Sequence, residues 1–127
     1  FSLAETSEMQ MMKTGALISC AVISGGIVSG ADDRLLGAQA AYAKHLGLAF
    51  QIADDLLDYD GDSTVLGKPA GQDVVRGKTG FVALMGGDAA AAEAKRLIDE
   101  ANNALAPWQG AGKYMQDLAV FAITRKT

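Results

Sequence analysis

The sequence predicts an all-α domain, and its composition supplies the main reasons. Half of the 127 residues are hydrophobic, which is enough for one core, whereas only 6% are aromatic. Alanine and glycine are abundant, which favours closely packed helices over a β-sandwich. Only two prolines interrupt the chain. We therefore expect residues 1–127 to belong to one helical domain.

Two helices are predicted in the first part of the chain. Residues 3–13 have the pattern of a short polar helix, and residues 14–31 contain no charged side chain. Gly and Ser dilute this uncharged stretch, so we expect a buried core helix, kinked at Gly25-Gly26, rather than a membrane span. The single cysteine, Cys20, is expected to be a small buried residue. It permits no disulfide framework, which favours a reducing cytoplasm.

A longer helix is predicted to begin at Asp32 or Asp33, because either side chain can cap a helix N-terminus. Its apolar side is expected to contain Leu35, Leu36, Tyr42 and Leu46, and its wetter side Arg34, Gln39 and Lys44. The single histidine, His45, has no partner at metal-ligand spacing, so we interpret it as a surface or packing residue.

This helix is expected to continue into an acidic stripe, which we define as Gln51, Asp54, Asp55 and Asp58. These residues follow the spacing i, i+3, i+4 and i+7, so they share one helix face, and the residues between them are apolar. Two carboxylates ~6 Å apart in a cleft repel by roughly 3 kcal/mol at an effective dielectric constant of ~20. A cation is needed to offset this repulsion, and Mg²⁺ typically binds one or two carboxylates plus substrate phosphates. A solvated acidic helix end is the alternative.

Residues 60–80 lack helical periodicity and are predicted to form a loop of functional length. Its cations are Lys68, Arg76 and Lys78. A metal ion that binds phosphate is itself held by carboxylates, and the other phosphate oxygens accept hydrogen bonds from cationic side chains. The acidic stripe supplies the carboxylates, and this loop supplies the cations. A solvated surface loop is the alternative. The spacing of a P-loop and the ligand positions of an EF-hand are not matched.

Two more helices are predicted after this loop. Asp88 is expected to cap a helix from Ala89 to Leu105 with the apolar stripe Leu97, Ala101 and Leu105. A last helix is expected from Lys113 to Thr124, with the inward side chains Tyr114, Leu118, Phe121 and Ala122. The basic end, Arg125-Lys126, is interpreted as a charge pair that favours the helix C-terminus.

Three segments resemble motifs of the trans-isoprenyl diphosphate synthases, the polyprenyl synthase family. Residues 50–58 (FQIADDLLD) are similar to the second aspartate-rich motif, FQ-x-x-DD-x-x-D. Residues 67–73 (GKPAGQD) are similar to the G-K-x-x-G-x-D loop, and residues 13–15 (KTG) to the K-T-G helix start. Order and spacing also match. The resemblance runs over nearly the whole chain, yet it corresponds only to the C-terminal half or so of such an enzyme.

The resemblance implies an isoprenoid synthase-type helical bundle around a central cavity, present here as its C-terminal part. It implies a prenyltransferase that condenses isopentenyl diphosphate with dimethylallyl, geranyl or farnesyl diphosphate, with ionisation of the allylic diphosphate assisted by a three-ion Mg²⁺ cluster. Residues 66–71 (LGKPAG) resemble most closely the bacterial farnesyl and geranylgeranyl diphosphate synthases. A homodimer is also implied.

Individual site residues follow from the same resemblance. The second-motif metal ligands are Asp54, Asp55 and Asp58, with Asp54 the expected direct ligand, and Asp73 assists the metal shell. Lys13 and Lys68 resemble the clamps on the allylic diphosphate, and Thr14 and Gln51 the polar groups beside the carbocation. Lys78 corresponds to a second loop lysine, although Thr79 follows it directly, whereas the family more often places one residue between the two.

The chain contains about half of the active site that the resemblance implies. No first DD-x-x-D motif precedes Lys13, and Asp32-Asp33 has no third aspartate at the required spacing. We therefore expect that an N-terminal part is missing and that the fragment alone is inactive.

Two other functions are compatible with parts of the sequence. A non-catalytic or regulatory subunit that pairs with a full-length synthase would be expected to have eroded motifs, and here they are intact. An unrelated divalent-cation-binding helical protein would leave Lys13, Gln51 and Lys68 unexplained. The net charge of −4 argues against a nucleic-acid partner, because no basic stripe is available for phosphates.

Overall fold

The computed structural model describes residues 2–60 and 80–126, and every regular element in these ranges is helical. The elements are α1 (Leu3–Gln10), a π-helix (Met11–Gly15), α2 (Ala16–Val28), α3 (Asp33–Asp60), α4 (Phe81–Met85), α5 (Gly87–Ala104), a 3₁₀-helix (Ala106–Gly112) and α6 (Lys113–Thr124). The predicted all-α class is confirmed. The predicted loop at residues 60–80 lies almost entirely outside the described residues.

The 28-residue helix α3 is the centre of the packing. It packs most extensively against α5, and α2 and α6 also contact it. Asp32 caps its start, since Asp32 Oδ1 accepts a hydrogen bond from the Leu35 N–H at 2.9 Å. The core between these helices consists of buried apolar side chains, among them Tyr42, Ile52, Leu97, Ile98 and Leu105. The residues before the acidic stripe therefore anchor α3 in the core.

Helix α2 is not the buried helix that the sequence predicted. Only Gly26 is buried in it, whereas Leu17 is 74% exposed and Val28 is 88% exposed. Cys20 is also exposed, so its prediction as a buried residue is wrong. Within the described ranges α2 packs mainly against α3 and the π-helix, and its other side has no such cover. No helix in those ranges has the length and apolar character needed to cross a membrane.

Gln39 corrects the predicted wet side of α3. Its side chain is only 5% exposed, because it lies where α2 approaches α3 at Gly26. The lack of a side chain at Gly26 makes room for the Gln39 amide. Tyr42, one helical turn further on, is fully buried, and its hydroxyl donates a hydrogen bond to the Met115 carbonyl of α6 at 2.7 Å.

The last helices occupy the predicted ranges with two corrections. The stripe Leu97, Ala101 and Leu105 is buried as predicted, but the N-cap of α5 is Gly86, and Asp88 lies in the first turn. In α6 the buried residues are Ala119 and Ala122, whereas Tyr114, Leu118 and Phe121 are exposed. Because alanine is small, α6 approaches its neighbours closely on the alanine side, and its larger side chains lie elsewhere. Leu118 and Phe121 line an apolar cavity of about 330 Å³ with Phe50 of α3.

Candidate functional site

The acidic stripe lies in the last three turns of α3. Gln51, Asp55 and Asp58 are half-buried, and Asp54 is the more exposed member, with 46% of its side chain accessible. The intervening Ile52 and Ala53 are buried at 1% and 5% exposure. These apolar residues fix the rotation of the helix about its axis. The stripe therefore runs along the boundary between the core and solvent.

Asp54 is paired with the last arginine of the chain. Arg125 Nη2 donates to Asp54 Oδ1 at 2.5 Å, and the guanidinium carbon lies 4.6 Å from the centre of the Phe50 ring. Arg125 therefore does more than the sequence indicated, which was only to place a favourable charge at a helix end. The pair joins residues 71 positions apart, so it depends on how α6 packs and no local pattern could reveal it.

Asp55 makes a different contact from its neighbour. Its Oδ2 accepts a hydrogen bond from the backbone N–H of Phe81 at 2.8 Å. Phe81 is the first residue of α4, and a helix N-terminus has unsatisfied N–H groups that an anion stabilises. One oxygen of Asp55 is thus used to hold the start of α4.

Lys13 and Thr14 lie in the π-helix between α1 and α2, and this element packs against α3. Lys13 is exposed and Thr14 is half-buried. π-helical turns are rare and frequently occur at functional sites, because the inserted residue changes the direction of the side chains around it. The structure thus brings the K-T-G segment next to the helix that contains the stripe. Lys68, Asp73 and Lys78 lie outside the described residues.

The chemistry of the stripe fits Mg²⁺ in one binding mode. Its carboxylates are hard oxygen donors, but in the described part of the chain no three His, Cys, Asp or Glu side chains converge on one point. The stripe therefore does not form a closed protein cage there. Mg²⁺ commonly binds through one or two carboxylates, with phosphate oxygens and water completing its shell, and this mode suits Asp54 and its neighbours.

The family match agrees with the motifs and with the helical architecture. The family described as Polyprenyl synthetase matches residues 1–109, which is most of the chain. The chain belongs to the polyprenyl synthetase family. The match includes the K-T-G segment, the acidic stripe and the residues between α3 and α4.

Curated relatives of this chain are named as a dimethylallyltranstransferase and as farnesyl or geranylgeranyl diphosphate synthases. A dimethylallyltranstransferase from Fischerella ambigua (strain UTEX 1903) is 38% identical over 123 residues, covering 97% of this chain and 36% of the relative. A farnesyl diphosphate synthase from Escherichia coli (strain K12) is 45% identical over 94 residues, covering 73% of this chain and 31% of the relative. The chain thus spans about a third of the length of these two proteins.

A solved structure gives the same fold. The apo crystal structure of an FPP/GFPP synthase from Zymomonas mobilis superposes with a TM-score of 0.78 and 32% sequence identity, covering 96% of this chain and 39% of that one. The predicted isoprenoid synthase-type helical fold is therefore confirmed.

Proposed function

We propose that the protein carrying this chain is a Mg²⁺-dependent prenyltransferase that condenses isopentenyl diphosphate with an allylic diphosphate, forming farnesyl or geranylgeranyl diphosphate. The observation that carries this proposal is the acidic stripe itself. Its three aspartates lie on one helix of a polyprenyl synthetase family member, in the pattern of the second aspartate-rich motif. The names of the relatives support the same reaction class.

The chain's part in this reaction is to hold and position the leaving group. Asp54 is the main metal ligand, and Asp55 and Asp58 complete the acidic side of the site. Bound Mg²⁺ supplies Lewis-acid stabilisation of the negative charge that develops on the departing diphosphate. Lys13 and Lys68 donate hydrogen bonds to diphosphate oxygens, and charge-assisted bonds of this kind are stronger than neutral ones.

The remaining site residues act around this centre. Thr14 and Gln51 offer side-chain oxygens to the positive charge on the allylic group, and Asp73 and Lys78 support the metal shell and the diphosphate. Apolar helix surfaces exclude water, which would otherwise capture the carbocation. Residues 1–127 serve as the C-terminal part of a single synthase domain, and the working enzyme is a cytoplasmic homodimer.

A matched pair of variants tests the proposal in the protein that carries this chain. The substrates are isopentenyl diphosphate and dimethylallyl diphosphate with Mg²⁺, and products are measured by mass spectrometry. Metal catalysis is worth several kcal/mol, so Asp54→Ala should lower kcat by about 100-fold or more. Asp99→Ala, at an exposed position of α5, should change kcat by less than about twofold. Equal and small effects of both changes would mean that the stripe is only a solvated helix end.

The isolated 127-residue chain provides a second test. It contains no first DD-x-x-D motif, so it should give no elongated product with the same substrates. Elongation by a fragment of verified mass would contradict the two-motif mechanism. A different result would favour a regulatory subunit: a separate full-length synthase that forms product only when this chain is also present.

A further inference from the structure

Arg125 is held more firmly than a terminal basic residue normally is. It follows the last residue of α6, and its side chain is only 15% exposed. Its Nε donates to the Ala122 carbonyl at 3.0 Å, its Nη2 donates to Asp54 Oδ1, and its guanidinium lies over the Phe50 ring. The two hydrogen bonds use different nitrogen atoms and the Phe50 ring contacts the guanidinium face, so together these contacts restrict the orientation of the group.

Phe50 and Asp54 are one turn apart on α3, and Arg125 contacts both. Such residues are neighbours on a helix surface, so the arginine spans the start of the acidic stripe. Its charge is largely withdrawn from water. Breaking an ion pair that is largely buried is costly, because it leaves one charge buried without its partner. We therefore expect the contact between Arg125 and Asp54 to persist when Asp54 binds a further ligand.

The contact occupies one oxygen of Asp54. In residues 2–60 and 80–126 the Oδ1 atom has the arginine as its hydrogen-bond donor, and no hydrogen bond to Oδ2 is present. The Asp54 side chain is 46% exposed. The arginine thus engages one oxygen of a carboxylate that is still about half exposed, so a ligand from the solvent side can reach the group.

We propose that Arg125 is a positioning residue for Asp54: it orients the carboxylate so that Oδ2 can bind the metal ion of the diphosphate site. The inference rests on the proposed function, in which Asp54 is a metal ligand. Ligating carboxylates are commonly oriented by outer hydrogen-bond donors, and loss of such a donor typically lowers metal affinity by about 10- to 100-fold. Arg125 links the end of α6 to this site.

Titration calorimetry tests the proposal in the protein that carries this chain, with Mg²⁺ titrated in the presence of inorganic pyrophosphate. Arg125→Gln should weaken Mg²⁺ binding by about 10- to 100-fold. Arg125→Lys should fall between wild type and Arg125→Gln, because an ammonium group can reach one partner but cannot reproduce the planar fork. Lys126→Gln, at the exposed neighbouring position, should bind like wild type.

A double variant separates positioning from a general structural effect. If the arginine acts on the metal through Asp54, the affinity of Asp54→Ala/Arg125→Gln should equal that of Asp54→Ala alone. A loss of the same size on top of Asp54→Ala would overturn the proposal. Thermal unfolding in chelator shows which variants are folded. If Arg125→Gln is not folded, the same comparison is made with Arg125→Lys and Asp54→Ala/Arg125→Lys.

The possible failures are distinguishable. If Asp54→Ala clearly weakens Mg²⁺ binding but Arg125→Gln does not, the positioning role is overturned and the proposed function is left intact. Tighter Mg²⁺ binding in Arg125→Gln would mean that Arg125 competes with the metal for Asp54. No weakening in Asp54→Ala would instead remove Asp54 from the metal site and with it the proposed function.

Discussion

The side chain of Asp55 in α3 accepts a hydrogen bond from the backbone N–H of Phe81 in α4, with Oδ2 and N separated by 2.8 Å. This contact joins the C-terminal part of α3 to the first residue of α4. Asp54, its direct neighbour, is bonded instead to the side chain of Arg125. Two adjacent carboxylates of one motif thus contact different parts of the structure, the start of α4 and the arginine after α6, and their replacement should have separable consequences.

Asp55→Ala should lower the free energy of unfolding, because it removes the acceptor that holds the start of α4. A hydrogen bond to a charged group contributes about 1.5–3 kcal/mol, and a neutral one about 0.5–1.5 kcal/mol. Asp55→Ala should therefore cost about 1.5–3 kcal/mol, and Asp55→Asn, which retains an acceptor oxygen, about half as much. Urea denaturation measures both, with Asp99→Ala as the control. Equal stabilities of wild type and Asp55→Ala would show that the contact contributes nothing.

The sequence was sufficient to predict the helix that carries the site residues, but not the distant residues that contact them. Gln51, Asp54, Asp55 and Asp58 share a face because helical spacing is local, and the span of α6 was predicted for the same reason. The contacts of Arg125 and Phe81 depend on how distant helices pack. Similarly, the uncharged composition of α2 indicated burial, but composition does not say on which sides a helix has neighbours. The five-residue α4 was too short to produce a periodic signal.

Gly26→Ala should destabilise the protein, and Gly25→Ala should not. A methyl group at Gly26 would lie 1.9 Å from Gln39 Oε1 and 2.9 Å from Leu36 Cδ2, whereas a methyl group at Gly25 would have nothing within 4 Å. Overpacking costs about 1–3 kcal/mol, and replacing an exposed helical glycine by alanine gains about 0.5–1 kcal/mol. Thermal unfolding of the two variants should therefore shift in opposite directions. A shift of the same sign and size in both would show that α2 does not pack closely at Gly26.

Tyr42→Phe should cost about 0.5–1.5 kcal/mol of folding free energy, because it removes the hydrogen bond from the buried hydroxyl to the Met115 carbonyl. Tyr42 is fully buried, and burial raises the pKa of its hydroxyl to about 12. Spectrophotometric titration should accordingly show one tyrosine that ionises only near pH 12. Tyr114→Phe is the control, since Tyr114 is 89% exposed and its change should stay within about 0.5 kcal/mol. Equal effects of the two substitutions would argue against the hydrogen bond.

The single histidine should make stability fall on mild acidification. Burial is the main cause that lowers the pKa of His45 below its usual value of 6.5, and its Nδ1 is buried without a hydrogen-bond partner in the described ranges. The unfolded chain then binds the proton at higher pH than the folded one, so the free energy of unfolding decreases as pH falls through about 6.5.

His45→Gln should flatten this part of the stability profile. Urea midpoints between about pH 7.5 and 5.5 measure the slope, above the range in which most carboxylates titrate. The imidazole resonances that are lost in His45→Gln also give the folded pKa directly by NMR. A folded pKa above 6.5, or a slope unchanged by His45→Gln, would contradict the assigned effect of burial.

Lys68 should contribute to diphosphate binding only when metal and diphosphate are both present. It lies outside the described residues, and the prediction rests on the G-K-x-x-G-x-D segment at residues 67–73. If its ammonium group donates to oxygens that also bind Mg²⁺, one charge-assisted hydrogen bond of about 1.5–3 kcal/mol is lost in Lys68→Ala. Mg²⁺-dependent binding of pyrophosphate should then weaken by roughly 10- to 150-fold.

Calorimetric titrations of pyrophosphate, with Mg²⁺ and with chelator, separate this role from a general loss of positive charge. Lys95→Ala is the matched control, because it removes one lysine charge from an exposed position of α5. It should bind Mg²⁺ and pyrophosphate like wild type, and with chelator the three proteins should be equally weak. A loss in Lys95→Ala as large as in Lys68→Ala would mean that only net charge matters. Wild-type affinity in Lys68→Ala would place that lysine outside the diphosphate site.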